Sequence, residues 1–290
     1  MLKSLVIGMG IGCLYRDVLK NLGYQVVTVD LDPSKVADYT DYHEALTGQY
    51  TTVHICTPNF THEEIARAVA PFARIVFVEK PGVKDRAAWL QLDRDFTNTR
   101  FIMVKNNQWR DNVSELKQLA DRAVRVNIEW SRRNCIPSPG SWFTTKKLAY
   151  GGVSRDLMPH MLSWYVALDD NWGRDTVEKS AHQQWQLNEI DSTDYGTVNP
   201  NGVYDVDDVC TIKFGDKWTL SANWRSMDTE KSAIDFVMAD GTVETFELGW
   251  CPESAYQAMI ADAVKNIDNE AWWYVQLIQD CWIHEQIEAV

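Results

Sequence analysis

The stretch that most constrains this chain is Leu2–Asp32, LKSLVIGMGIGCLYRDVLKNLGYQVVTVDLD, which reads as a strand, a glycine-rich turn, a helix and a second strand. Leu5, Val6 and Ile7 form the apolar run of a buried strand. Gly8 and Gly10 follow at once, where the backbone must turn tightly and let a pyrophosphate approach the N–H groups of a helix N-terminus. Leu14, Val18, Leu19 and Leu22 then recur at helical spacing, Gly23 stops the helix, and the β-branched run Val26, Val27, Val29 ends in Asp30. An acid there can accept from an adenosine ribose hydroxyl. The segment therefore predicts half of a dinucleotide-binding unit, with Gly8, Gly10, Ile11 and Gly12 around the phosphates and Asp30 at the ribose. Two plainer readings stand beside it: a strand-to-helix turn that binds nothing, and a solvated turn acid ahead of Pro33. The spacing G-x-G-x-x-G also puts Cys13 where the third glycine belongs, with Gly12 one residue early. The helix is thus expected to sit slightly differently on its strand.

The pattern continues downstream. A polar segment, Val36–Gly48, has room for a short helix. The chain then alternates a strand at Thr52–Thr57, a helix at Thr61–Ala70, a strand at Arg74–Val78, a helix at Arg86–Phe96 and a strand at Arg100–Lys105. Such alternation predicts a doubly wound parallel sheet with ligands at its carboxyl edge, where Thr57-Pro58-Asn59 and Glu79-Lys80-Pro81 lie.

From about Asn106 the period changes. Val126, Ile128 and Trp130 alternate with polar residues, as do Cys210–Phe214, Trp218–Trp224 and Ile234–Met238, and Asp240-Gly241 marks a hairpin into Val243–Leu248. This half predicts an open, mainly antiparallel sheet with one packed face, and an apolar open face that a second copy would cover. Glu189–Asp208 reads as a long acidic loop, and Ala255–Ile267 and Trp272–Glu288 as closing helices with their aromatic and aliphatic residues on one side. With 45% hydrophobic residues in 290, two cores are expected, and the boundaries drawn here are 1–107 and 108–290. The 13 tryptophans exceed the ordinary need of one core, so a share of them is expected to line the ligand crevice or an oligomer interface, the plainer reading being that they fill two cores.

Charge and cysteines narrow the function classes. A formal charge of −13 repels nucleic acid and anionic membranes, and no Lys/Arg stripe overrides it. No stretch reaches the roughly 18 apolar residues a bilayer span needs, and Met1-Leu2-Lys3 runs straight into a strand, so a soluble cytoplasmic protein is expected. The six cysteines are widely spaced, with no C-x-x-C pair, so neither a metal site nor a disulfide framework is expected.

Two stretches carry chemistry. Lys80 stands at a strand end, its backbone restricted by Pro81. Further on, Gly151-Gly152 leads to Asp156 and, four residues later, His160, which share one face of a helix with Pro159 in its first turn. An imidazole with a carboxylate and an ammonium nearby is a workable proton-transfer set. The plainer readings are a surface lysine, a helix cap and a satisfied histidine.

In the order of Gly8-x-Gly10, Thr57-Pro58-Asn59 with His62, Glu79-Lys80-Pro81, and Gly151-Gly152 before Asp156-x-x-Pro159-His160, nearly the whole chain resembles the Gfo/Idh/MocA family of NAD(P)-dependent oxidoreductases. The resemblance implies an N-terminal Rossmann domain and a C-terminal α+β domain. It also implies Lys80, Asp156 and His160 as the catalytic set. Cofactor contacts would come from Gly8, Gly10, Ile11, Gly12, Asp30, Thr57, Pro58, Asn59, His62, Glu79 and Lys80. Asn107, Arg110 and Trp142 are the candidate substrate contacts. Val153 departs from the family by standing where a third glycine often follows the pair. The function implied is hydride transfer between NAD(P) and a hydroxyl or carbonyl carbon of a sugar, nucleotide-sugar or cyclitol. Asp30, which repels a 2′-phosphate and has no arginine close behind it, makes NAD preferred over NADP, and the apolar open face expected above predicts a homodimer or homotetramer. A non-catalytic NAD(P)-binding regulator and a reductase of a tetrapyrrole or imine are the alternatives.

Overall fold

The computed structural model describes residues 2–195, 197–227 and 230–288. The chain divides into two compact units, Met1–Arg110 with Pro252–Glu285, and Asp111–Cys251 with Gln286–Val290.

The first unit holds a parallel sheet of β1 (Lys3–Ile7), β2 (Gln25–Val29), β3 (Tyr50–Ile55), β4 (Ala73–Val78) and β5 (Arg100–Met103), in the order β2-β1-β3-β4-β5. Its connections carry α1 (Gly12–Asn21), α2 (Tyr42–Ala45), α3 (His62–Val69) and α4 (Arg86–Asp95). The central strands are continuous apolar runs because both their faces are buried, as Leu5, Val6, Val53, Ile75 and Val76 are here. Beside β2 the polar segment contributes one parallel bridge, Val29 to Tyr39, as well as α2. The outermost strand position is thereby reduced to a single bridge. Gly23 ends α1 at φ +81°, with the Gly23 N–H donating to the Lys20 carbonyl and the Tyr24 N–H to that of Leu19. A left-handed residue just past a helix closes its last carbonyls in this way, and glycine adopts it without steric cost.

The second unit holds β6 (Arg125–Ser131), β7 (Val177–His182), β8 (Val209–Phe214), β9 (Trp218–Asn223), β10 (Lys231–Val237) and β11 (Val243–Glu247), in the order β11-β10-β6-β9-β8-β7. β6 pairs with β9 in parallel, and the other pairings are antiparallel. Its helices are α5 (Val113–Arg122), α6 (Lys146–Ala149), α7 (Val153–Asp156), α8 (Met158–Leu168) and α9 (Ser192–Tyr195). The last lies inside the stretch expected to be loop. α8 is apolar on nearly every side and buried accordingly. Its Tyr165 stacks on Phe214 at 4.2 Å and meets Trp218 edge-on at 5.1 Å.

One expectation is overturned here. The open face of this sheet is polar, not apolar: its cross-strand rows run Thr245, Asp235, Asn127, Thr219, Lys213 and Glu247, Ala233, Glu129, Ser221, Thr211. Strict alternation sends Val126, Ile128, Ile212, Leu220, Ile234 and Phe236 to the packed face, which leaves their polar neighbours outside.

The closing helices, α10 (Glu253–Lys265) and α11 (Glu270–Glu288), correct the expected boundary, since most of their length clusters with the first unit, not with residues 108–251. Tyr256 meets Tyr15 of α1 edge-on at 5.3 Å, and the Trp109 indole donates to Asp262 at 3.1 Å. α11 is fastened by polar side chains: Asp280 pairs with Lys105, both without exposed side-chain surface, and accepts the Met103 N–H at 3.0 Å, while His284 stacks on Trp89. Its Tyr274, Val275 and Ile278 are exposed while Trp273, Ile283 and Ile287 are buried, so its apolar residues are not confined to one side as expected. No described helix is long and apolar enough to cross a membrane.

Candidate active site

In the first unit the candidate residues gather at the carboxyl ends of β1, β2, β3 and β4. The Gly8 N–H donates to the Val29 carbonyl, and the Cys56 N–H to that of Ile7, which draws the turn after β1 against the end of β3. Gly8 has φ +91°, and a Cβ on it would stand 2.6 Å from the Cys56 carbonyl oxygen, so only glycine fits there. A Cβ on Gly10 would meet nothing within 4 Å, which leaves the approach to the turn open. Gly12 is the first residue of α1, and its Cβ would stand 2.9 Å from the Val6 side chain. The close packing of helix on strand, ordinarily served by the third glycine, is thus served one residue early. Cys13 instead points its thiol at the Met9 carbonyl, at 3.1 Å.

Asp30 is more than a turn acid. Its Oδ2 accepts the Met9 N–H at 2.6 Å and its Oδ1 the Asp32 N–H at 2.8 Å, so the carboxylate is fixed against the glycine turn. Helix α1 starts with Ile11 exposed, with no side-chain cap and no acid in its first turn, the condition in which a helix N-terminus favours an anion.

Thr57 and Thr61 share a 2.7 Å hydroxyl contact, and Pro58 and the buried Asn59 lead into the one-turn helix between them. His62 lies beneath this turn, fully buried, with Nδ1 2.7 Å from the Gly82 carbonyl and Nε2 2.8 Å from the Thr57 carbonyl. Both ring nitrogens face backbone carbonyls, which places His62 as a strut between two loops. Burial pulls its pKa down, and the two carbonyls oppose that pull.

Glu79, also buried, spans a similar gap: Oε1 accepts the Tyr15 hydroxyl at 2.6 Å and Oε2 the Lys80 N–H at 3.2 Å. Burial raises its pKa, and the Tyr15 hydrogen bond and the Lys80 charge pull it back. Tyr15 thereby ties α1 to the residue that precedes Lys80. Lys80 itself is half-buried, and its bond to Pro81 is cis. Asn107 is buried with its side-chain oxygen held by the Arg110 guanidinium at 3.1 Å.

In the second unit, α7 and α8 carry Asp156 and His160. The single helix expected there is broken at Leu157, but Leu157 keeps right-handed helical angles, so the four-residue spacing still sets both side chains on one side. Pro159 lies in the first turn of α8, where its missing donor costs least. Asp207, from the end of the acidic loop, accepts the N–H groups of Gly152 and Ser154, each at 2.8 Å, and the Ser154 hydroxyl at 3.0 Å. A Cβ on Gly152 would stand 1.8 Å from the Asp207 carbonyl oxygen, and this contact is the physical reason for a glycine there. The Trp224 indole N–H donates to Asp156 Oδ2 at 3.0 Å, and the Trp130 ring lies 6.0 Å from that of His160. Trp142 stacks on Phe143 at 3.8 Å.

Three residues of these surroundings escape sequence reasoning: Tyr15, Asp207 and Trp224. Tyr15 falls on the buried stripe with Val18, Leu19 and Leu22, and Trp224 continues the alternation of Leu220 and Ala222, so packing was legible for both. Their polar partners were not, and Asp207 carries no local signal at all. Among the described residues no group of three or more His, Cys, Asp or Glu is arranged to hold a metal ion.

No protein-family model matches this chain. A stretch of 150 residues is 26% identical to a putative UDP-kanosamine synthase oxidoreductase subunit of Amycolatopsis mediterranei (strain S699). The match takes in 47% of this chain and 42% of that protein, so the chain spans less than half the length of the curated relative it matches. Among solved structures, it is similar to GenD2 from gentamicin A biosynthesis in complex with NAD, with a TM-score of 0.76 and 19% identity over 100% of this chain and 93% of that one. It is similar to a myo-inositol dehydrogenase from Corynebacterium glutamicum ATCC 13032, with a TM-score of 0.71 and 13% identity over 100% and 95% of the two chains. A levoglucosan dehydrogenase in complex with NADH and levoglucosan gives a TM-score of 0.68 and 17% identity over 99% and 96%. At these identities the likeness establishes the fold, and that fold is the one implied by the resemblance to the Gfo/Idh/MocA oxidoreductases.

Proposed function

We propose that this chain is an NAD-dependent oxidoreductase that moves a hydride between nicotinamide and a hydroxyl or carbonyl carbon of a sugar, nucleotide-sugar or cyclitol. The observation that carries the reading is the glycine turn fixed to Asp30: a tight turn at Gly8, open space at Gly10, an uncapped helix start and a carboxylate at the end of the next strand fit a dinucleotide. The dinucleotide supplies the hydride acceptor or donor. The protein supplies proton handling and alignment. In the alcohol-oxidising direction His160 takes the hydroxyl proton as the carbon loses its hydride, Lys80 polarises the substrate oxygen, and Asp156 orients the imidazole. The NAD and NADH complexes of the similar structures, and the sugar-related names of those proteins and of the curated relative, support the cofactor and the substrate class.

The test is a screen of the purified protein with NAD against sugars, nucleotide-sugars and inositols, following reduced nicotinamide by absorbance. Turnover of one of them supports the reading. Tight NADH binding with no turnover of any would favour a regulator instead.

Cofactor choice follows from Asp30. A fixed carboxylate repels a 2′-phosphate, and no arginine lies among the residues directly after it. NADH is expected to bind at least about tenfold more tightly than NADPH, a difference of roughly 1.4 kcal/mol. Titration by tryptophan fluorescence checks this, and tighter NADPH binding would overturn it.

We further infer a homodimer or homotetramer, without the apolar sheet face from which it was expected, since that face is polar. Light scattering at micromolar concentration is expected to give at least twice the chain mass, and a monomer would sink the idea. The described cysteines are all free thiols, which suits a reducing compartment, and the reading places the protein in the cytoplasm.

A further inference from the structure

Asp156 belongs to the proposed catalytic set, and a carboxylate on a short, interrupted helix needs something to hold its rotamer. The second unit supplies a rigid donor. Trp224 lies just past β9, and its side chain is 1% exposed. Its backbone is pinned on both sides, with its N–H donating to the Asp208 carbonyl at 3.0 Å and its own carbonyl accepting the Cys135 N–H at 2.9 Å. Asp208 is fixed in turn by the N–H groups of Gln184 and Trp185 and by the Tyr204 hydroxyl. The next residue is held as well: the Asn223 side chain accepts the Arg225 N–H at 2.8 Å, and the Trp185 indole donates to the Arg225 carbonyl at 3.1 Å. An indole has one donor and no acceptor, and this one is aimed at Asp156 Oδ2 at 3.0 Å. A tryptophan serving only as core filling would not need its N–H on the carboxylate of the candidate site.

We propose that Trp224 is a positioning residue: its indole N–H clamps one oxygen of Asp156 and so sets the angle at which the carboxylate meets His160 and the substrate. The inference rests on the oxidoreductase reading given above. The contact belongs to the strand-end loop and not to the motif that carries Asp156, and the two residues are 68 positions apart in the chain. The same loop end adjoins the start of the Arg132–Cys135 segment, through the Cys135 N–H bond and that of Ser226 to the Arg132 carbonyl. The clamp is therefore anchored to two strand ends at once. Misplacing a reacting group by about 1 Å can cost up to 10²-fold in rate, which bounds the effect from above.

Two measurements test it together. In kinetics, W224F keeps the aromatic bulk and removes the donor. It is expected to lower kcat roughly 10- to 100-fold while the KM for NAD stays within about twofold. In a D156A background the same change is expected to add less than about twofold, because residues acting through one contact do not contribute independently. A purely structural tryptophan would give additive losses and disturb KM as well, and either result overturns the proposal. In spectroscopy, protein with ¹⁵N-labelled indoles identifies the Trp224 resonance by its loss in W224F, and D156A is expected to shift that resonance. This arm needs neither substrate nor turnover, and D156A leaves Trp224 in place should W224F fold poorly. An unshifted resonance overturns the clamp whatever the enzyme does. A shifted resonance in a protein with no turnover on any substrate overturns the oxidoreductase reading and leaves the clamp standing.

Discussion

His160→Asn is expected to lower turnover by about 10²–10⁴-fold, the usual contribution of a positioned general acid or base, while NAD affinity stays within a few-fold of the parent. The imidazole sits on the first turn of α8 and is half-buried beside Trp130. Asparagine keeps a hydrogen-bonding group at that place but cannot exchange a proton near neutrality. The proposed cofactor residues lie at the ends of β1 to β4, on elements of the other unit, so a loss confined to kcat is the signature of lost proton transfer and not of lost binding. Lys80→Ala should also reduce turnover strongly, and the resemblance puts this lysine near the nicotinamide ribose, so it is expected to weaken NAD binding as well. Steady-state kinetics on a substrate found by the screen, with fluorescence titration of NADH, separates the two variants. Near-parental kcat in His160→Asn would show that the proton is carried by Lys80 or by a bound water.

The parts of the fold legible in the sequence are those held by local pattern. The strand-turn-helix-strand opening was readable because parallel strands buried on both faces are continuous apolar runs, and because Gly8 and Gly23 mark turns that other residues fill poorly. The displaced glycine was readable as a departure, but its consequence was not: Gly12 takes up the packing against Val6, which needs the strand and the helix in space. β7 escaped because it is an edge strand with exposed Val177, Glu178, Ser180 and His182, so no apolar alternation announces it. The apolar open face was misjudged because the same alternation that packs Val126, Ile128 and Leu220 leaves their polar neighbours on the open face, and the apolar face is already covered within the unit, by Tyr165 of α8 among others. The assignment of α10 and α11 to the second domain failed because what fastens them to the first unit is Tyr256, Asp262, Asp280 and His284, and their partners lie far away in the chain. Among candidate site residues, motif position told where Asp30, Glu79 and Asp156 would stand. It could not tell that each is held by a donor from elsewhere, namely the Met9 N–H, Tyr15 and Trp224.

The largest stability effect is expected from the pair that fastens α11. Asp280 and Lys105 have no exposed side-chain surface, and Asp280 also accepts the Met103 N–H. Burial pushes the carboxyl up to about 6 against the pull of Lys105, and burial lowers the lysine against the pull of Asp280. Both shifts point the same way: desolvation outweighs the attraction, so the pair anchors the helix at a cost that each partner makes tolerable for the other. Asp280→Ala takes the counter-charge from a buried ammonium, which keeps the Met103 carbonyl at 3.4 Å, and the acceptor from the Met103 N–H, and is expected to cost roughly 3–5 kcal/mol. Urea unfolding followed by tryptophan fluorescence measures it. Lys105→Met combined with Asp280→Asn removes both charges and keeps an acceptor for Met103, and it is expected to recover at least half of that loss. A single-variant cost under about 1 kcal/mol, the range of an exposed ion pair, would mean that the ammonium reaches water and that the apolar packing of α10 and α11, not this pair, holds them to the first unit.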